Sequence, residues 1–207
     1  MSERILVVDT CDEMVSPVVN FNGVSTDIAR LDSLMLSIHR IGIQNCFMPR
    51  DEVEKDPRYL QLIPYVILQY RDKYCSYVRG SKSGEKRLVG NRAIGLGGHI
   101  KESDIYEGAL PFCTVLKAEE REVREEVNIE GRIQGHITLG LIRDSSNEVG
   151  TVHMGIVFLW ELTTGNVISN EENEIIETKF NTFDELLEVA GTMERWSVLC
   201  LPLLKNC

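Results

Sequence analysis

The chain has no C-x-x-C pair, no long apolar run and no excess of basic residues. Each absence excludes something. The six cysteines, Cys11, Cys46, Cys75, Cys113, Cys200 and Cys207, are scattered, and no histidine stands at zinc-finger spacing from them. A disulfide scaffold or a structural zinc site is therefore not expected. They read as reduced thiols that behave mainly as small apolar residues. Ile5-Leu6-Val7-Val8 is too short for a signal-peptide core and runs at once into Asp9, Asp12 and Glu13. No other stretch is long enough to cross a bilayer, so the expected compartment is the cytoplasm. Lys and Arg number 22 against 32 Asp and Glu, a formal net charge of −10. A surface of that sign disfavours broad binding to nucleic acid or to anionic membranes.

What is present fits 207 residues folded as one ordinary domain with an extension or as one large domain, with 43% hydrophobic residues to supply a core. No internal repeat or low-complexity tract is visible. Residues 1–60 read as an N-terminal extension. It holds a strand over Arg4–Asp9 and a helix over Asp27–Ile41, where Ile28, Leu31, Leu34, Met35 and Ile38 recur at helical spacing. The charged, proline-bracketed stretch 49–57 reads as a loop or short helix and marks the boundary. Residues 61–207 read as the main domain. Ile63–Tyr70 and Lys73–Arg79 form a predicted hairpin across Arg71-Asp72, and 81–86 a polar loop. Ala93–Ile100 is a glycine-rich strand end, and 108–113 is expected to be irregular. A helix follows over Thr114–Val127. Ile133–Ile142, Val152–Leu162 and Ile175–Phe180 read as strands, and Phe183–Ala190 and Met193–Leu204 as helices. Strands mixed around a central helix predict an α/β or α+β sandwich. Trp160 and Trp196 are expected as core or interface aromatics.

The chemistry concentrates in Arg121-Glu122-Val123-Arg124-Glu125-Glu126, which follows Gly97-Gly98-His99-Ile100. At about 100° per residue, Glu122, Glu125 and Glu126 fall within roughly one quadrant of a helix. Leu116, Val123 and Val127 gather on another side, so the expected helix buries one face and presents an acidic cluster on the other. Carboxylates that close repel one another unless a cation lies between them, and hard divalent ions such as Mg²⁺ or Mn²⁺ prefer such oxygen ligands. The bland alternative is a solvated acidic face.

Together these pieces resemble the box of the Nudix hydrolases (the MutT-like family), G-x5-E-x7-R-E-U-x-E-E-x-G-U with U aliphatic. Gly98 takes the place of the first glycine and Asp104 that of the first glutamate. Arg121, Glu122, Val123, Glu125, Glu126 and Ile129 match the second half. Three departures stand out. Asp104 replaces Glu, Asn128 replaces the usual glycine as the next best residue for a left-handed helix end, and the span from Asp104 to Arg121 is about nine residues longer than the pattern. The extra length lies around 106–112, in the loop before the helix, where it costs little entropy.

The resemblance implies a Nudix-like α/β/α sandwich with a mixed sheet; the role of the N-terminal extension before it stays open between a lid, a dimer element and an extra layer. It implies a metal-dependent hydrolase of a phosphoanhydride bond in a nucleoside diphosphate-linked or related small molecule, with Mg²⁺ or Mn²⁺ as cofactor. Glu122, Glu125 and Glu126, with the backbone carbonyl of Gly97, would be the metal ligands. Arg121 would orient one of the glutamates. Glu122, Asp144, Glu148 and Glu174 stay open as the general base, and Asp104 as either a ligand or a local cap. Arg79, Lys82, Lys86, Arg87 and Arg92 are candidates for substrate phosphates, with a solvated basic loop as the alternative. His99 and His153 are further substrate-side candidates. The partners implied are a small-molecule diphosphate and a second copy of the chain in a homodimer. Nucleic acid enters only through a 5′-phosphorylated end, and no membrane is implied. The competing reading is a non-catalytic Nudix-fold module that binds a nucleotide or a protein. An isomerase of isoprenoid diphosphates needs a Cys and Glu pair, for which no cysteine is clearly placed.

Overall fold

A computed structural model describes residues 2–80, 90–170 and 175–205. In chain order the elements are β1 (Arg4–Asp9), α1 (Ser16–Val19), β2 (Gly23–Ser25), α2 (Ile28–Ile41), β3 (Phe47–Pro49), α3 (Arg50–Val53), β4 (Tyr59–Tyr70) and β5 (Lys73–Arg79). Next come β6 (Arg92–Ala93), β7 (Gly95–Leu96), α4 (Pro111–Glu126), β8 (Val127–Ile129), β9 (Ile133–Arg143), α5 (Glu148–Thr151), β10 (His153–Leu162) and β11 (Val167–Ser169). The chain closes with β12 (Ile175–Thr182), α6 (Phe183–Glu188) and α7 (Arg195–Leu204). Among the described residues the architecture is α+β, built on a ten-stranded sheet whose main path runs β12-β5-β4-β10-β9-β2. No helix among the described residues is long and apolar enough to cross a membrane.

The chain divides into two compact units. The first comprises Met1–Pro64, Gly98–Glu120 and Gly140–Ile156. Within it β1 pairs antiparallel with β3 through Arg4–Leu6 and with the start of β4 through Val7–Asp9. Ile5 to Val8 are all buried, so the apolar run of β1 is covered on both faces. Asp27 starts α2 by accepting a hydrogen bond from the Ala29 N–H. Leu31, Leu34, Met35 and Ile38 form its buried stripe. Gly42, at φ 86°, ends it by returning its N–H to the carbonyls of Ile38 and His39.

The second unit comprises Tyr65–Gly97, Arg121–Leu139 and Val157–Cys207. The β4–β5 hairpin pairs Tyr70 with Lys73 and Gln69 with Tyr74, and Arg71 takes the positive φ that the two-residue turn needs. β12 lies along β5 from Thr182↔Lys73 to Ile175↔Arg79, and β6 pairs with β5 as well. Thr182 and Glu185 form a capping box at the head of α6. The Tyr74 hydroxyl donates to the Leu204 carbonyl and so ties the end of α7 to β5.

Two local expectations are corrected, and a third is not tested. α4 starts at Pro111 rather than Thr114, because proline's fixed φ and missing N–H suit the first helical position. Part of the extra length before the box is thus helical rather than loop. Asn128 does not turn the helix end into a left-handed residue. The chain passes straight into β8, where Asn128 pairs with Ile168 of β11. The polar loop expected over 81–86 lies outside the described residues.

Candidate active site

In the second unit the site begins with a short strand. β7 pairs with β4 through Leu96↔Val66 and Gly95↔Ile67. The buried Tyr77 hydroxyl donates to the Gly95 carbonyl at 2.7 Å. A Cβ on Gly95 would stand 2.2 Å from the ring of Tyr65, so only glycine lets β7 approach that ring. Tyr65 is itself held by a 2.9 Å hydrogen bond to the Ser197 hydroxyl at the start of α7. These contacts fix the chain that delivers Gly97.

The last turn of α4 meets that chain. Glu126 accepts a hydrogen bond from the backbone N–H of Gly97. Its Oε2 is buried and has no hydrogen-bond partner among the described residues. Burial, reinforced by the negative charges of Glu122 and Glu194 and opposed by Arg79 and the Gly97 N–H, pushes the Glu126 carboxyl up to about 8. Glu122 is 8% exposed. Arg121 Nη1 lies 2.5 Å from Glu122 Oε1 and 3.0 Å from Glu125 Oε2.

The expected division of α4 into a buried apolar face and a separate acidic face is therefore corrected. Glu122 turns inward on the same helix as the buried Val115, Ala118 and Val123, while the Glu125 side chain is 50% exposed. The physical reason is angular. Residues 115, 119, 122 and 126 follow one another at helical spacing, so a single stripe carries both apolar and acidic residues inward. Glu119, in the first unit, is fully buried and was missed in the sequence. Its signal was its place three and seven residues before Glu122 and Glu126.

Arg79 is bound within the protein. Its Nε lies 2.9 Å from Glu194 Oε2, with the two side chains 17% and 6% exposed. Its guanidinium also acts electrostatically on Glu126 and stands 5.7 Å from the Tyr77 ring centroid. Glu194 was missed as well, and no motif or spacing in the sequence points to it. Arg92 donates to the Ser76 hydroxyl at 2.9 Å and pairs with the exposed Glu177 at 3.6 Å.

The remaining described candidates fall in the first unit. His99 Nε2 lies 2.7 Å from Gln61 Oε1 and 3.3 Å from His153 Nε2, and His153 Nδ1 lies 2.7 Å from the Val149 carbonyl. Asp104 is 2% exposed and accepts from the Lys101 N–H, capping a single 3-10 turn. Asp144 is buried and organises its own loop, accepting from the Ser146 N–H and from Asn147 Nδ2. Glu148 opens α5. Cys113 is half-buried on α4, while burial raises the thiols of Cys46 and Cys75 to about 11 and about 12. Lys82, Lys86, Arg87 and Glu174 lie outside the described residues.

A divalent ion fits this chemistry at Glu126. The buried Oε2 is an orphaned hard-oxygen donor, and burying such an atom unpaired is costly. In the second unit Glu122, Glu125, Glu126 and Glu194 face the guanidiniums of Arg79 and Arg121. When all four acids are ionised, two negative charges remain, the charge one divalent cation balances. Among the described residues no three His, Cys, Asp or Glu side chains already stand at metal-ligating separation. Glu122 is instead drawn to Arg121.

A carboxylate pair on a helix end, Glu122 buried and Glu126 with one oxygen buried, set against a glycine-rich strand, defines a class of site suited to metal-assisted hydrolysis. The comparisons identify the family. No family sequence model matches the chain. It is 35% identical over 209 residues to protein YmaB of Bacillus subtilis, covering 99% of this chain and 98% of YmaB. It is 31% identical to Tm1382, a candidate Nudix hydrolase of known crystal structure, with 99% of each chain covered and a TM-score of 0.77. The Nudix domain of NrtR from Shewanella oneidensis, crystallised with ADP-ribose, shares the fold at 13% identity and a TM-score of 0.52, over 71% of this chain and 87% of that one. The chain belongs to the Nudix hydrolase family and is a Nudix-type hydrolase.

Proposed function

We propose that the chain is a divalent-metal-dependent hydrolase that cuts a phosphoanhydride bond in a nucleoside diphosphate-linked or related small molecule. The observation that carries this reading is the unpartnered, buried Oε2 of Glu126 beside Glu122 and the backbone of Gly97. Glu122, Glu126 and the Gly97 carbonyl are the proposed metal ligands, with Glu125 on the outer edge of the set. Mg²⁺ or Mn²⁺ held there supplies charge neutralisation at the anhydride oxygens and a polarised water. Arg121 sets the orientation of Glu122 and Glu125 through its two ion pairs. Arg92 and His99 remain the proposed contacts to substrate. The catalytic domain is assigned to residues 61–207, with 1–60 as its extension.

The test is a panel of nucleotide sugars, dinucleoside polyphosphates, nucleoside triphosphates, NADH, ADP-ribose and 5′-triphosphate RNA, incubated with Mg²⁺ or Mn²⁺. ADP-ribose belongs in it because a protein of the same fold binds it. The expected result is turnover of at least one diphosphate compound, abolished in Glu126→Gln. A lack of turnover across the panel at millimolar metal would replace the hydrolase with a non-catalytic binding module.

A further inference from the structure

Glu194 sits at the N-cap of α7, a position where an acidic side chain ordinarily serves its own helix, yet it makes no capping hydrogen bond. Its backbone N–H donates to the Arg92 carbonyl at 2.9 Å, which fixes the main chain here. The carboxylate turns instead to Arg79, meeting Nε at 2.9 Å and Nη2 at 3.5 Å. Arg79 thus has two acidic neighbours. It is hydrogen-bonded to Glu194, and it acts on Glu126 only across space.

An arginine beside a buried carboxylate would ordinarily take it in a charge-assisted, two-pronged pair. Such a pair would use up the oxygens that a metal needs. Here Glu126 Oε2 stays without a hydrogen bond among the described residues while Arg79 is occupied elsewhere.

We propose that Glu194 is a positioning residue that restrains Arg79, so that the guanidinium supports Glu126 electrostatically without capturing the carboxylate oxygen that ligates metal. This rests on the reading of Glu126 as a metal ligand. It assigns a role in the site to the head of α7, which is remote in sequence from the acidic run.

The test is Mn²⁺ affinity, measured by calorimetry on the whole protein, with thermal melts to confirm folding. Glu194→Gln releases Arg79 onto Glu126, and Mn²⁺ affinity falls about tenfold or more. Glu194→Asp keeps the charge and stays within about threefold of the wild type. The decisive variant is the double substitution Glu194→Gln with Arg79→Gln. It removes the competing cation together with its restraint, and it restores affinity to within about threefold of the wild type by non-additive coupling. If Glu194→Gln alone does not fold, the double variant carries the test, since it leaves no unpaired buried charge at this pair. Unchanged affinity in folded Glu194→Gln overturns the proposal, as does a double variant as weak as the single one, which would mark Glu194 as merely structural. Wild-type protein that binds no Mn²⁺ at millimolar concentration defeats the metal reading itself. Wild-type protein that binds Mn²⁺ without turnover defeats the hydrolase reading and leaves the affinity comparison able to decide the role of Glu194.

Discussion

Arg121 Nη1 stands 2.5 Å from Glu122 Oε1, and the same nitrogen reaches Glu125 Oε2 at 3.0 Å. One cation therefore holds both a buried and an exposed carboxylate of the acidic run. The Glu125 side chain is 50% exposed, so that pair adds little to stability, whereas the pair with Glu122 is largely buried. The contribution to geometry is larger, since Glu122 is 8% exposed and has little other freedom.

Arg121→Gln is accordingly expected to lower the melting temperature, because the buried Glu122 loses this cation, and to lose activity. Groups that orient metal ligands are worth about 10- to 100-fold in metal affinity or activity. Steady-state kinetics with Mg²⁺ on whichever panel compound is turned over would measure this. A variant with full activity would show that Glu122 needs no such support.

Glu126 yields a prediction about pH. Its carboxyl is pushed up to about 8 in the folded protein, from an ordinary 4.5, chiefly by burial. The native state therefore holds this proton more tightly than the unfolded chain does. The resulting stabilisation is fully present below about pH 4.5 and is lost as pH rises towards 8. In chelator, wild-type protein should lose stability relative to Glu126→Gln between about pH 5 and 8, by something on the order of a few kcal/mol. Comparing thermal melts of the two proteins across that range isolates the one group. A difference that does not change with pH would assign the proton elsewhere.

Elements whose cause is local were legible in the sequence. The Arg71-Asp72 hairpin and α2 with its Asp27 start follow from turn chemistry and helical spacing. The acidic run and the Gly97-Gly98 pair were legible for the same reason, since the box is short-range. What could not be read depends on distant partners. Which glutamate of α4 turns inward is set by what the helix packs against, not by spacing alone. Glu194 reaches Arg79 across 115 positions of chain, and neither residue's neighbours announce the other. β2, β3 and β11 are three residues long, too short to show the alternation that marks a strand.

Asp27 offers a control remote from the acidic run in sequence. Its side chain accepts from the Ala29 N–H at 3.1 Å and starts the helix whose Leu34 and Ile38 are fully buried. Asp27→Ala should cost about 0.5–2 kcal/mol in urea unfolding. Activity per folded molecule should be unchanged. A loss of turnover without a loss of stability would give the N-terminal segment a direct part in catalysis.

The last prediction concerns the strand that leads to Gly97. Tyr77 is fully buried, and its hydroxyl donates to the Gly95 carbonyl at 2.7 Å. Tyr77→Phe leaves that carbonyl without this donor, and a buried unsatisfied acceptor costs about 1–3 kcal/mol. Gly95→Ala acts on the same strand from the other side, since its Cβ would meet the Tyr65 ring at 2.2 Å. Overpacking of this kind costs about 1–3 kcal/mol, or more where neighbours cannot move. Tyr65 has little room to move, because its hydroxyl is bonded to Ser197 and its ring packs edge-on against Trp196. Both substitutions shift the strand that delivers the Gly97 N–H to Glu126, so each should weaken Mn²⁺ binding as well as lower the urea midpoint. If Tyr77→Phe lowers stability but leaves metal affinity intact, the position of Gly97 is set by the pairing of Gly95 and Leu96 with β4 rather than by the tyrosine.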